Sequence, residues 1–192
     1  GYGRGHNLAL RQLGEYHLVL NPDVEVDPNA ITSALKFMTK HPECGVITPK
    51  AHSPQGTRQY LARRYPTLLD LAIRGFAPGR IKRAFGHRLK FGEFAGTHED
   101  SVQWGPPLIS GCFMFFRGDV LRKLGGFDPR FFLYFEDSDL SIRANEVTRV
   151  AYVPDVRIIH HGGGAASKGP RHIAHFVASA YRFFNKHGWR WI

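Results

Sequence analysis

YHLVLNPDVEVDPNAITSALKFMTKHPECGVITP, residues 16–49, decides the fold. Tyr16 to Leu20 is a short, largely apolar run that ends in Asn21-Pro22-Asp23, a cluster of turn residues, and so reads as a buried strand running into a turn. Asp27 followed by Pro28 reads as a cap and a first-turn proline, and Ile31, Leu35 and Met38 carry an apolar stripe to about Lys40. "CGVITP" is a second short buried strand. Strand, helix and strand in this order predict an α/β layer structure with a mainly parallel sheet flanked by helices.

Working outward, "SPQGT" is a turn and Pro66 to Phe76 a helix, followed by a stretch rich in glycine and basic residues over 77–99, where acceptor or membrane contacts are expected. "VQW" and then "GCFMFF" are strands, the second leading into a short helix with a Gly-Gly stop. A helix is predicted over Glu136 to Glu146, two further short strands at "RVAYVP" and "VRIIHH", a flexible loop at "GGGAASKG", and a packed amphipathic helix from Pro170 to His187. A surface-lying helix is the sharper alternative for that last segment. At the other end, Gly1-Tyr2-Gly3-Arg4-Gly5 reads as a glycine-rich, anion-meeting loop with no strand before it, and His6 to Leu13 as a short helix. An N-terminal strand and helix are therefore expected to be missing from this sequence.

The chain has 192 residues, of which 43% are hydrophobic, enough for one domain spanning 1–192 with a sizeable core. No apolar run approaches the length of a membrane span. Cys44 and Cys112 stand far apart in apolar settings, which excludes a disulfide scaffold or a paired-cysteine zinc site and reads as two core residues of a reducing compartment. The formal charge of +10 points to an anionic partner, whether nucleic acid, phosphorylated substrate or acidic lipid. Part of it is local: Arg74, Arg80, Lys82, Arg83, Arg88 and Lys90 follow one another with no acid between.

Three places carry chemistry. Asn21 and Asp23 offer oxygen ligands two residues apart at a strand end, where open α/β sheets bind ligands and a hard cation such as Mg²⁺ or Mn²⁺ finds donors; an ordinary Asx turn needs the same residues. "FFLYFEDSDL", residues 131–140, sets Glu136, Asp137 and Asp139 behind an aromatic run. One acid there would serve the helix dipole, whereas an acid held against apolar walls gains the proton affinity a general base requires. His160-His161 ends a strand before three glycines, as either a metal ligand or a surface pair.

Together, "GYGRGHN", "YHLVLNPDVEVDP", "PLISGCFMFFRGDVLRKLGGFDPRFFLYFEDSDLSIRA" and "YVPDVRIIHHGGG" resemble, in order and spacing, the family 2 glycosyltransferases of the GT-A fold, nearest to rhamnosyltransferase-like members that build bacterial surface polysaccharides. The resemblance implies a mixed, mainly parallel GT-A sheet that lacks its first nucleotide-binding strand. It makes Asp137 the catalytic base, with Glu136 in support, and Asp23 the final acid of the metal motif. Asn21 stands where the motif's first acid is often found, and His160 matches a histidine that completes the metal site in some members. Gly3, Arg4, Gly5 and Asn7, with Asn21 and Asp23, fall near the donor nucleotide. Trp104, Ser110 and Gly111 fall in the donor-sugar and acceptor region, and Asp139, grouped with them, is expected as support that fixes the local helix start.

The function so implied is inverting transfer of a sugar, rhamnose by family likeness, from a dTDP-, UDP- or GDP-sugar to a saccharide or lipid-linked acceptor. The expected setting is cytoplasmic, peripheral at the inner face of a bacterial plasma membrane. Two other classes compete: a basic nucleic-acid-binding module, opposed by acids clustered among the aromatics that would repel a phosphate backbone, and a fragment that binds a partner or membrane without turnover.

Overall fold

The computed structural model describes residues 1–94, 100–162 and 169–192, so the loop expected at "GGGAASKG" and the end of the 77–99 stretch fall largely outside the described residues. In chain order, Tyr2–Asn7 (α1) passes through a 3₁₀ turn, Leu8–Gln12, to Tyr16–Leu20 (β1), Val24–Val26 (β2), Ala30–Lys40 (α2) and Cys44–His52 (β3). Arg58–Gln59 (β4) and Ala62–Arg63 (β5) precede three helices, Leu68–Phe76 (α3), Gly79–Ala84 (α4) and Gly86–Phe91 (α5). Gln103–Trp104 (β6), Leu108–Ile109 (β7) and Phe113–Arg117 (β8) lead to Gly118–Leu124 (α6) and Glu136–Val147 (α7). Arg149–His160 (β9) and Pro170–His187 (α8) follow.

The main sheet has the order β1-β8-β3-β9-β2, with β4 on β3 and β6 on β9. β3 and β9 pair in parallel, and β8 is antiparallel to both β1 and β3. So β1, β3 and β9 run one way, with β8 and β2 against them. The antiparallel β8 is what places the site. Leu20 lies opposite Phe113, and the Asn21 N–H donates to the Cys112 carbonyl at 3.0 Å, so residues 110–112 sit at the C-terminal end of β1. β9 delivers His160 to the same edge.

Alternation along β8 explains the layers. Phe113 and Phe115 pack with α2 on one face, while Met114 and Phe116 pack with Leu121 of α6 and Leu140 of α7 on the other. On α2 the inward residues are Ala30, Ala34 and Met38, whereas Ile31 and Leu35 stay exposed. Met38 is thus inward as expected, while Ala30 and Ala34 take the places expected of Ile31 and Leu35, small side chains that let the helix sit close to the sheet. The two strands expected at "RVAYVP" and "VRIIHH" are one: β9 continues through a bulge where Pro49 faces Val153 and Lys50 already faces Arg157, which accommodates Pro154. α8 is a packed helix. Phe183 and Phe184 are fully buried against Phe131 and Phe135, about 1.5–3 kcal/mol for each buried side chain.

The N-terminal glycines form α1 rather than an open loop. Gly3 lies against Phe127, where a Cβ would come within 2.6 Å of its side chain, and the Asn7 side chain both donates to the Phe127 carbonyl (2.7 Å) and accepts from its N–H (2.9 Å). Cys44 and Cys112 are free and buried, and burial pushes the Cys112 thiol up to about 11, so both are inert core residues.

Candidate active site

α7 begins abruptly. Tyr134 (φ 70°) and Phe135 (φ 63°) are consecutive non-glycine residues in the left-handed region, a conformation that costs on the order of 1–3 kcal/mol each and concentrates at functional sites. This turn delivers Glu136 and Asp137 as the first residues of the helix, where its dipole favours negative charge. Both line a cavity of about 260 Å³, together with Ser110, Tyr65, Phe176 and the arginines 63, 64 and 74.

The two acids differ. Asp137 is aimed: its Oδ2 accepts from the Gly111 N–H at 3.0 Å, and its Oδ1 from the Ser138 N–H at 2.7 Å and hydroxyl at 3.3 Å. A Cβ on Gly111 would come within 3.1 Å of the Asp137 Cβ, so glycine permits this approach. Glu136 is 6% exposed, with Oε2 buried and unpaired among the described residues. Burial first, then the neighbouring Asp137, pushes its carboxyl from 4.5 to about 8. Glu136 is therefore biased toward keeping its proton, beside an Asp137 that Gly111 and Ser138 orient.

Asp139, expected in the acceptor region, is not part of the site. It is fully buried and consumed by Lys186 Nζ (2.5 Å), His187 Nε2 (2.8 Å) and Arg143 Nε (2.9 Å). Trp104 is also displaced. It pairs with Ala151 near the start of β9, away from His160 at the other end, and packs on Phe37 and under Arg149. Of the residues expected near the donor, Gly3 and Asn7 are packing residues of α1, Arg4 donates to the Pro129 carbonyl, and Gly5 faces open space. Ser110 lines the cavity with the two acids, and the Gly111 N–H meets Asp137.

Tyr2 was missed, although it sits inside the glycine-rich stretch. Its hydroxyl donates to the Gly111 carbonyl at 2.7 Å, and burial, then Asp137 and Glu136, raise its proton affinity. It clamps the segment that aims Asp137.

The second cluster forms because Val24 pairs with His160, which brings Asp23 beside that histidine. His160 Nε2 lies 3.7 Å from Asp23 Oδ2, and Nδ1 lies 2.6 Å from Gln59 Oε1. Gln59 Nε2 donates to the His160 carbonyl at 2.9 Å, which fixes the amide so that Oε1 must accept from Nδ1–H. In the neutral ring a lone pair on Nε2 thus faces a carboxylate with no proton between them. Among the described residues, Asn21 Oδ1 and Asp23 Oδ1 are buried with no hydrogen-bond partner. A Cβ on Gly162 would lie 2.3 Å from Asp23 Oδ2 and 2.7 Å from His160 Nε2, so glycine keeps the gap open. These oxygen and imidazole donors fit a divalent cation, though no three His, Cys, Asp or Glu side chains converge among the described residues. Cys112 lies between the clusters, within the fields of both Asp137 and Asp23.

No family model matches the chain. Over 98% of its length it is 30% identical to the N-acetylglucosaminyl-diphospho-decaprenol L-rhamnosyltransferase of Mycobacterium tuberculosis, of which it spans 66%. The chain belongs to the rhamnosyltransferase-like family 2 glycosyltransferases. Another relative is the rhamnosyltransferase WbbL of Escherichia coli, 26% identical over 84% of the chain and 61% of WbbL. The structure of S. aureus TarS 1–349 superposes with a TM-score of 0.52 at 14% identity, covering 97% of this chain and 52% of that one. The glycosyltransferase relationship thus rests on sequence, and the mixed α/β GT-A arrangement on both sequence and fold.

Proposed function

We propose that the chain catalyses inverting transfer of a sugar, rhamnose by likeness to its relatives, from a nucleotide-sugar donor to a lipid-linked saccharide acceptor during cell-surface polysaccharide synthesis. The observation that carries this is the Glu136-Asp137 pair: two adjacent acids lining one cavity, Asp137 held by Gly111 and Ser138, with the N–H of Asn21 in the second cluster donating to the Cys112 carbonyl, one residue on from Gly111. Asp137 takes the proton of the acceptor hydroxyl as that oxygen bonds to the anomeric carbon, and the bond from that carbon to the diphosphate breaks on the opposite face. Glu136, protonated, donates a hydrogen bond to an acceptor or donor oxygen. Asp23 and His160, with Asn21 beside them, would hold a divalent cation, Mg²⁺ or Mn²⁺, which would supply charge compensation for the diphosphate leaving group.

The acceptor reading draws on the activity for which the Mycobacterium tuberculosis relative is named and on the surface of α4 and α5. Ile81, Phe85 and Phe91 are exposed there among Arg80, Arg83 and Lys90, a composition suited to lying on an anionic bilayer. No described helix is long and apolar enough to cross a membrane. The exposed apolar and basic surface of α4 and α5 supports a peripheral place at the inner face of the plasma membrane.

The test is release of nucleoside diphosphate from dTDP-, UDP- and GDP-sugars by the full chain, with and without Mn²⁺. Asp137→Asn is expected to lower turnover by about 10²–10⁴-fold, the usual span for a lost general base, while donor affinity is retained. Undiminished turnover in that variant refutes the assignment of the base.

A further inference from the structure

The cavity that Asp137 lines is also lined by cationic side chains. Arg63 belongs to β5, whose pairing with β7 sets it across from Leu108, two residues before Ser110, and Arg64 follows it. Neither has a carboxylate partner among the described residues: Arg63 reaches only the Tyr60 carbonyl at 3.5 Å, and Arg64 lies over the Phe91 ring at 4.4 Å. Arg74 completes the set. Burial, and after it the proximity of Arg63, works against its charge, and Glu93 at 3.7 Å answers only part of this. Asp70, which lines the same cavity, is already taken by Arg88 at 2.6 Å and by its own helix cap at Thr67. Three guanidinium groups are thus gathered around a partly apolar cavity, and only one has a carboxylate.

We propose that Arg63, Arg64 and Arg74 form a subsite for the diphosphate of the acceptor, a sugar joined through a diphosphate to an apolar chain. Planar guanidinium groups suit bidentate binding of phosphate oxygens. A sugar on the inner side of that diphosphate reaches Asp137, which lines the same cavity. An apolar chain on the outer side passes Arg64 onto Phe91, 64% exposed, and the exposed Phe85 and Ile81 beyond it. The inference deepens the transferase reading and rests on Asp137 as the group that meets the acceptor.

The competing source of the same chemistry is the donor's own diphosphate, and calorimetry on the full chain separates the two. The probes are an alkyl diphospho-N-acetylglucosamine, the same sugar on the same alkyl chain through a neutral glycosidic bond, and dTDP, UDP and GDP with Mn²⁺. Arg63→Ala and Arg64→Ala should each weaken the diphosphate probe by about ten-fold, the order expected for one charge-assisted contact, and by more in combination. The neutral glycoside and the nucleoside diphosphates should lose far less. Arg63→Lys and Arg64→Lys, which keep charge but lose the planar fork, should fall between and provide folded comparators. Equal losses for the neutral glycoside, equal losses for the nucleoside diphosphates, or unchanged binding of the diphosphate probe would each overturn the subsite. Arginine-dependent binding of the probe with no turnover from any donor supports the subsite and refutes the transferase reading instead.

Discussion

Asp139→Asn should cost the protein about 3 kcal/mol of stability while leaving the chemistry of the cavity in place. The carboxylate is fully buried and joins Arg143 on its own helix to Lys186 and His187 at the end of α8. Removing one partner of a buried ionic cluster costs about 3–5 kcal/mol, because the cations left behind are uncompensated. The lower end applies, since Lys186 keeps Asp128 at 2.9 Å and Arg143 keeps the Leu124 and Gly126 carbonyls, each at 2.8 Å. For a domain of this size that corresponds to roughly 6–12 °C in Tm. Urea titration followed by tryptophan fluorescence suits the test, because Trp189 stacks on Phe184 just beyond α8. Burial alone would raise the Asp139 carboxyl, but Lys186, His187 and Arg143 outweigh it and hold it below its ordinary 3.8. Its contribution is therefore present above pH 3.8 and is lost as pH falls through the lowered value, so the variant should lack that part of the acid limb. A loss below about 1 kcal/mol, or a selective loss of acceptor affinity at intact stability, would refute the structural role and return Asp139 to the site.

Glu136→Gln should alter the opposite limb. The raised carboxyl of Glu136 favours the folded state below pH 4.5, and that contribution is lost as pH rises toward about 8. The wild type should thus lose Tm relative to the variant between these values, and parallel curves would refute a buried, protonated Glu136. Gly162→Ala should lower Mn²⁺ affinity by an order of magnitude or more in calorimetry at near-unchanged Tm, since the added methyl would lie 2.3 Å from Asp23 Oδ2. Unchanged affinity would move the cation away from Asp23 and His160.

The order of elements was legible wherever apolar runs meet turn residues: Tyr16 to Leu20 before Asn21-Pro22-Asp23, Phe113 onward before a Gly-Gly stop, and the acids that open α7. The acid pair and the Asp23–His160 pair were legible as residue types at strand and helix ends. What sequence concealed depends on partners distant along the chain. Asp139 looks like its neighbours until α8 folds back to bring His187, 48 residues later, against it. Pro154 reads as a strand breaker, and only the partner strand reveals the bulge that admits it. Trp104 stands six residues before Ser110, yet β6 carries it to the far end of β9. Arg63 and Arg64 have no periodicity to mark them and acquire meaning only from the pairing of β5 with β7.

The aromatic run before the acids does more than wall a cleft. Tyr134 and Phe135 occupy left-handed backbone that is unfavourable for bulky residues, so something must hold it. The Phe135 ring packs at 5.0 Å from Phe183 and 5.2 Å from Phe176, Tyr134 Oη meets His172 Nδ1 at 2.9 Å, and the Ser179 hydroxyl donates to the Leu133 carbonyl at 2.8 Å. All four of those partners lie on α8. The same helix supplies Lys186 and His187 to Asp139, one turn into α7. α8 therefore grips α7 on both sides of Glu136 and Asp137, fixing where the helix starts and which way its first turn points. The acids owe their position to a helix that lends the cavity no acid or base of its own.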